Sequence, residues 1–125
     1  METAQLKAAV HSLDSHKAED VTALQVTSLT SIADVFLLAS GGSATQVRSL
    51  ADYLEEELGR QGIHPLRSDG YDAGDWISLD YGDMLVHLFR QETRAFYDLE
   101  HLWADAHRMD IRPYLVQPEQ PQEQD

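Results

Sequence analysis

Asp34-Val35-Phe36-Leu37-Leu38-Ala39-Ser40-Gly41-Gly42-Ser43-Ala44-Thr45-Gln46-Val47 is the stretch that decides how the rest of the chain is read. Residues 35–39 are all apolar, which predicts over 34–40 a central strand covered on both faces. Gly41 and Gly42 break that strand. Ser43 followed three residues later by Gln46 is a capping-box pattern, in which hydroxyl and amide satisfy the free backbone donors of a first helical turn. Val47, Leu50, Ala51, Leu54 and Leu58 then make one apolar stripe, and Gly62 is its C-terminal stop. Asp52, Glu55, Glu56 and Arg60 fall on the opposite, solvated face.

Upstream, Leu6, Ala9, Val10 and Leu13 recur at helical spacing and predict an amphipathic helix over residues 3–17, with a strand over 21–26. Downstream, 65–68 reads as a short strand before the turn-rich segment 69–74. Residues 76–81 and 84–90 read as two strands joined by a tight hairpin at Gly82-Asp83. Phe96, Leu99, Trp103 and Ala106 mark a last helix over 92–108. Pro113, Pro118 and Pro121 amid Gln and Glu predict a disordered tail over 112–125, leaving one domain at 1–111. The expected fold is α/β in the mixed α+β sense, a five-stranded mixed sheet flanked by helices.

Asp and Glu number 22 against 9 Lys and Arg, for a formal net charge of −13. Nucleic-acid affinity rests on cations that neutralise phosphates, so direct RNA or DNA binding is disfavoured and a basic protein partner is favoured. The chain has no cysteine, which excludes disulfides and thiolate metal sites. Its longest apolar run is too short to span a bilayer, and no secretory signal is visible. A cytoplasmic protein without membrane contact is expected.

Catalysis finds little support in the residues. A helix N-terminus after glycines suits an anion, but a nucleotidyltransferase also needs paired carboxylates on a following strand. Here Asp52 falls inside the second helix, and no lysine accompanies the glycines as in a P-loop. Asp80, Asp83 and His87 invite a metal, yet the two aspartates flank a hairpin turn where Asp commonly bonds backbone. His101 and Asp105, four apart on the expected last helix, lack further ligands. Ser68 and Ser78 have no partnered base. No catalytic group, cofactor or metal is expected.

The aromatic residues point to an interface instead. Phe96 and Trp103 lie on the apolar stripe of the expected last helix and read as core. Strand alternation sets Ile77, Leu79 and Tyr81 on the core face and Trp76 with Ser78 and Asp80 on a polar one, where a large ring needs a reason. Tyr97 and Glu100 are three apart and share a helix face. The candidate partner-binding set is Asp75, Trp76, Asp80, Asp83, Tyr97 and Glu100.

Three blocks in order carry a family resemblance: residues 34–43 ending in Ser40-Gly41-Gly42-Ser43; Asp75-Trp76-Ile77-Ser78-Leu79-Asp80-Tyr81-Gly82-Asp83-Met84-Leu85-Val86-His87-Leu88-Phe89; and Arg94-Ala95-Phe96-Tyr97-Asp98-Leu99-Glu100-His101-Leu102-Trp103. They resemble the signatures of the ribosomal silencing factor (Iojap-like) family over roughly residues 6–106. The resemblance implies a nucleotidyltransferase-like fold without that enzyme's metal carboxylates. It implies binding to the large ribosomal subunit through its basic protein fourteen, a steric block to small-subunit joining, and repressed translation under nutrient limitation. A role in large-subunit assembly is also implied. Thr45 stands where many relatives carry arginine, which weakens an anion contact at the glycine turn. The rival reading is a nucleotidyltransferase-like protein that still binds or transfers a nucleotide. An apolar ribosome-facing surface would be protected by self-association, so a homodimer of the free protein is a further expectation.

Overall fold

The computed structural model describes residues 3–116. Helix α1 (Thr3–Ser15) is followed by strands β1 (Glu19–Gln25) and β2 (Val35–Gly41), then helix α2 (Ala44–Gly59). Strands β3 (Arg67–Asp69), β4 (Trp76–Asp80) and β5 (Met84–Arg90) come next. Helices α3 (Gln91–Tyr97) and α4 (Leu99–Leu102), strand β6 (His107–Arg108) and a 3-10 turn (Arg112–Tyr114) complete the chain. The strands form one mixed sheet in the order β3-β4-β5-β2-β1-β6. β2 and β5 run parallel, with Val35 beside Met84 and Gly41 beside Arg90, and the remaining pairings are antiparallel. Parallel neighbours cannot be joined by a hairpin; α2, β3 and β4 make the crossover.

Every residue of β2 is buried, as its apolar run requires. Val35, Leu37 and Ala39 join the cluster containing Leu6, Val10 and Leu13 of α1 and Val47, Leu50, Leu54 and Leu58 of α2. Phe36 and Leu38, on the other side of the pleat, join Leu24, Val26, Ala33 and Phe89. The start of α2 is capped as its sequence implies. Ser43 Oγ accepts from the Gln46 N–H at 3.1 Å, while Gln46 Oε1 accepts from the N–H of Gly42 at 2.6 Å, one residue upstream of the usual box. At the other end Gly62 adopts φ +78, and Ile63 N–H bonds back to the Leu58 carbonyl.

Three expectations are corrected. The sheet has six strands, because His107 and Arg108 pair with Gln25 and Leu24 of β1. The last helix is not continuous over 92–108: Asp98 takes the left-handed conformation, φ 51, and ends α3. A common stripe requires a common axis, and the break divides it. Leu99, Trp103 and Ala106 pack on the second cluster, whereas Phe96 is 81% exposed rather than core. His101 and Asp105 likewise share no helix face, since α4 ends at Leu102. Finally, the packed chain continues past residue 111. Pro113 sits in the first positions of the 3-10 turn, where a missing N–H costs nothing. Tyr114 and Leu115 pack on the first cluster, and Val116 N–H donates to Asp14 Oδ2 at 2.8 Å. Residues 117–125 of the expected tail lie outside the described residues. Among the described residues no helix is long and apolar enough to cross a membrane.

Candidate protein interface

The second face of the sheet, opposite α1 and α2, is read from the register. One cross-strand row runs Arg67, Asp80, Leu85, Phe36, Leu24; the next runs Asp69, Ser78, His87, Leu38, Thr22; Trp76 lies beside Phe89 and Ser40 in a third. The α3–α4 arm leaves the end of β5 and covers the β2–β1 side of these rows. Arg94 reaches Ser40 and Thr22, and Trp103 sets its ring edge-on to Phe36, centroids 5.1 Å apart. The β3–β4 side stays open: Arg67 and Asp69 are exposed, and Trp76, Ser78, Asp80 and Leu85 are half-buried.

Trp76 lies at the seam between the covered and open parts. Its Nε1–H donates to His87 Nδ1 at 3.0 Å, and its ring meets Phe89 at 4.9 Å and Tyr97 at 4.8 Å. Burial pushes the His87 imidazole down to about 4; the ring is neutral at pH 7, with Nδ1 free to accept. Tyr97 is 53% exposed, Leu102 is 71% exposed, and Phe96 stands perpendicular to Tyr97 at 5.1 Å. Three large apolar side chains of one short arm thus face solvent, and Tyr97 among them lies against Trp76.

The candidate carboxylates have mostly intramolecular tasks. Asp75 receives Arg90 at 3.1 Å, and Arg90 also meets Glu92. Asp80 Oδ1 accepts the N–H of Gly82 at 2.8 Å, closing the hairpin where Gly82 adopts φ +88. Asp83 is exposed at the hairpin tip, and its carbonyl accepts from the backbone of Asp34 and Val35. Glu100 takes both of its bonds from Arg94, at 3.1 and 2.9 Å, and this contact holds its carboxyl below the usual range. The fold therefore joins Trp76 to Tyr97, with Asp75 adjacent in sequence. It sets Asp80 and Asp83 at the other end of the hairpin, about 13 Å away by strand rise. His87 spends Nδ1 on Trp76, and among the described residues no three His, Asp or Glu side chains converge to hold a metal ion.

The family model described as "Ribosomal silencing factor during starvation" matches residues 1–125. The chain belongs to the ribosomal silencing factor family. A protein of Halalkalibacterium halodurans named ribosomal silencing factor is 41% identical over 106 residues, 85% of this chain and 91% of that one. A mouse protein named for mitochondrial assembly of the ribosomal large subunit is 33% identical over 94 residues, 73% of this chain and 41% of that one. A crystal structure from Chromobacterium violaceum superposes with a TM-score of 0.80 at 33% identity, covering 83% of this chain and 88% of that one. The two longer blocks that carry the resemblance, residues 75–89 and 94–103, fall largely on β4, β5, α3 and α4, which contribute to the second face.

Sequence reasoning missed Arg94. It is the one buried side chain among described residues 91–106. A signal existed, since a cation directly precedes the apolar triplet Ala95-Phe96-Tyr97, one turn from Tyr97. Its partner Glu100 is six residues on, however, and a continuous helix does not bring i and i+6 together; the break at Asp98 does.

Proposed function

We propose that the protein binds the large ribosomal subunit through its basic protein fourteen, and that its bulk there blocks joining of the small subunit and represses translation when nutrients are scarce. The observation that carries this reading is that Phe96, Tyr97 and Leu102 of one arm are exposed, with Tyr97 against half-buried Trp76. Aromatic and aliphatic side chains standing clear of a strongly acidic chain supply buried area for a partner, while the surrounding charge selects a basic one. The names of the relatives support the ribosomal partner, and large-subunit assembly would use the same surface. The protein acts by occupancy rather than catalysis, in the cytoplasm. Its fold reads as a nucleotidyltransferase-like scaffold whose glycine turn is closed on itself by Gln46. Asp75, Asp80, Asp83 and Glu100 contribute charge around the rings. Self-association of the free protein through the same rings would shield them from water.

Tyr97→Ala is the informative variant, because Tyr97 is exposed and its loss spares the core. Co-sedimentation with isolated large subunits should weaken by roughly 30-fold, the effect of an anchor contributing about 2 kcal/mol. Subunit joining should recover in parallel. Parent-like binding by Tyr97→Ala and Phe96→Ala would move the interface elsewhere.

A further inference from the structure

The α3–α4 arm raises a physical problem. Three of its large apolar side chains, Phe96, Tyr97 and Leu102, face outward, and its only buried side chain among described residues 91–106 is a guanidinium. An arm of two short helices, separated by a left-handed residue, is too short to hold its own shape. Leu99, Trp103 and Ala106 give it partial apolar contact with the sheet. Arg94 supplies the rest: Nη1 donates to Ser40 Oγ on β2 at 2.9 Å. Nη2 reaches Thr22 Oγ1 on β1 at 3.3 Å, and Nε and Nη2 grip Glu100 on α4. One planar group therefore ties α3 to α4 and both to two strands, fixing the angle at Asp98.

We propose that Arg94 is a positioning residue, whose guanidinium sets the pose in which α3 and α4 display Phe96, Tyr97 and Leu102 to the partner; its consequence for binding rests on the function proposed above. Replacing both partners of a buried ion pair by apolar groups often leaves stability unchanged, whereas removing one alone is destabilising. A variant that keeps a cation opposite Glu100 therefore separates binding from stability. Lysine does not substitute for the guanidinium, because its single ammonium lacks the planar fork that meets Glu100 and the hydroxyls together.

The test uses the full chain with Arg94→Met, Arg94→Lys and Tyr97→Ala. Trp76→Phe versions leave Trp103 as the sole tryptophan, and Trp103 reports docking of the arm on Phe36. For Arg94→Met, which strands half-buried Glu100 without its cation, we expect a lower urea midpoint; for Arg94→Lys we expect a midpoint near that of the parent, and for both a red shift of Trp103 emission. We also expect faster amide exchange over 95–103 and roughly tenfold weaker binding to isolated large subunits. Should Arg94→Met fail to fold, Arg94→Lys, which keeps a cation opposite half-buried Glu100, carries the same readouts. Unchanged Trp103 emission and exchange overturn the assignment. A red shift with full binding overturns it as well, provided that Tyr97→Ala binds weakly. Parent-like emission and binding in Arg94→Lys would show that charge alone suffices, which also overturns it. Full binding by Tyr97→Ala overturns the surface reading, not the latch, which Trp103 emission reads by itself.

Discussion

Under α1 and α2, the sheet meets side chains such as Leu13, Leu50 and Leu58 that are completely or almost completely removed from water. On the opposite side, the α3–α4 arm buries only Arg94 among its described residues 91–106 and leaves Phe96, Tyr97 and Leu102 in solvent. The same strands serve both sides, since alternate residues of β2 and β5 point each way. Hydrophobic burial scales with area removed from water, so stability is concentrated on the first side. The second side is held by a smaller apolar cluster together with the directional contacts of Arg94, and leaves three large apolar side chains of the arm exposed. The surface proposed for the partner sits where the cover is thinnest.

The largest expected effect tests the first side. Leu37→Ala, at a fully buried position of the central strand, should cost about 3 kcal/mol or more of unfolding free energy in urea titrations. A loss below about 1 kcal/mol would show that this core repacks freely.

Next comes pH, through His87. Its folded pKa, about 4, lies below the ordinary 6.5, so the fold favours the neutral ring while the unfolded chain takes up a proton more readily. The contribution is complete above pH 6.5 and is lost as pH falls toward 4, amounting to about 3 kcal/mol at the low end. Urea midpoints measured across this range should fall, and His87→Gln should flatten the difference. An equally steep fall in the variant would assign the titration to other groups.

A smaller loss is expected from ending the chain after Ile111, which removes Tyr114 and Leu115 from the first cluster. About 2 kcal/mol is expected from two partly buried side chains, read as a lower thermal midpoint. An unchanged midpoint would mean that 112–116 rest on the body without supporting it. The smallest effect belongs to Phe96→Ser, whose ring is exposed; stability should stay within about 0.5 kcal/mol. A larger loss would mean that the arm depends on its outward rings and would blur the contrast between the faces.

The first side was legible in the sequence because its elements obey single periods. The Val47-Leu50-Ala51-Leu54-Leu58 stripe is buried throughout, and Ile77 and Leu79 point to the core as strand alternation requires. The second side was legible only in part. Trp76 does lie on the open face, but its neighbour His87 turns out to be its hydrogen-bond acceptor, a pairing across strands that no local spacing announces. Phe96 was misread because Asp98 interrupts the helix without a glycine or proline to signal it. The sixth strand has two residues, too few for any alternation to register.

One consequence concerns synthesis of the chain. Val35 of β2 pairs with Met84 of β5, which emerges about 50 residues later, several seconds at ordinary translation rates. During that interval a β1–β2 hairpin can form with one long edge bare, that of a strand buried along its whole length in the finished fold. Such edges invite pairing with other chains. The molecule's period of greatest exposure to aggregation is therefore set by the length of its own crossover, and variants that lengthen the 60–75 connection should reduce soluble yield before they measurably alter the finished fold.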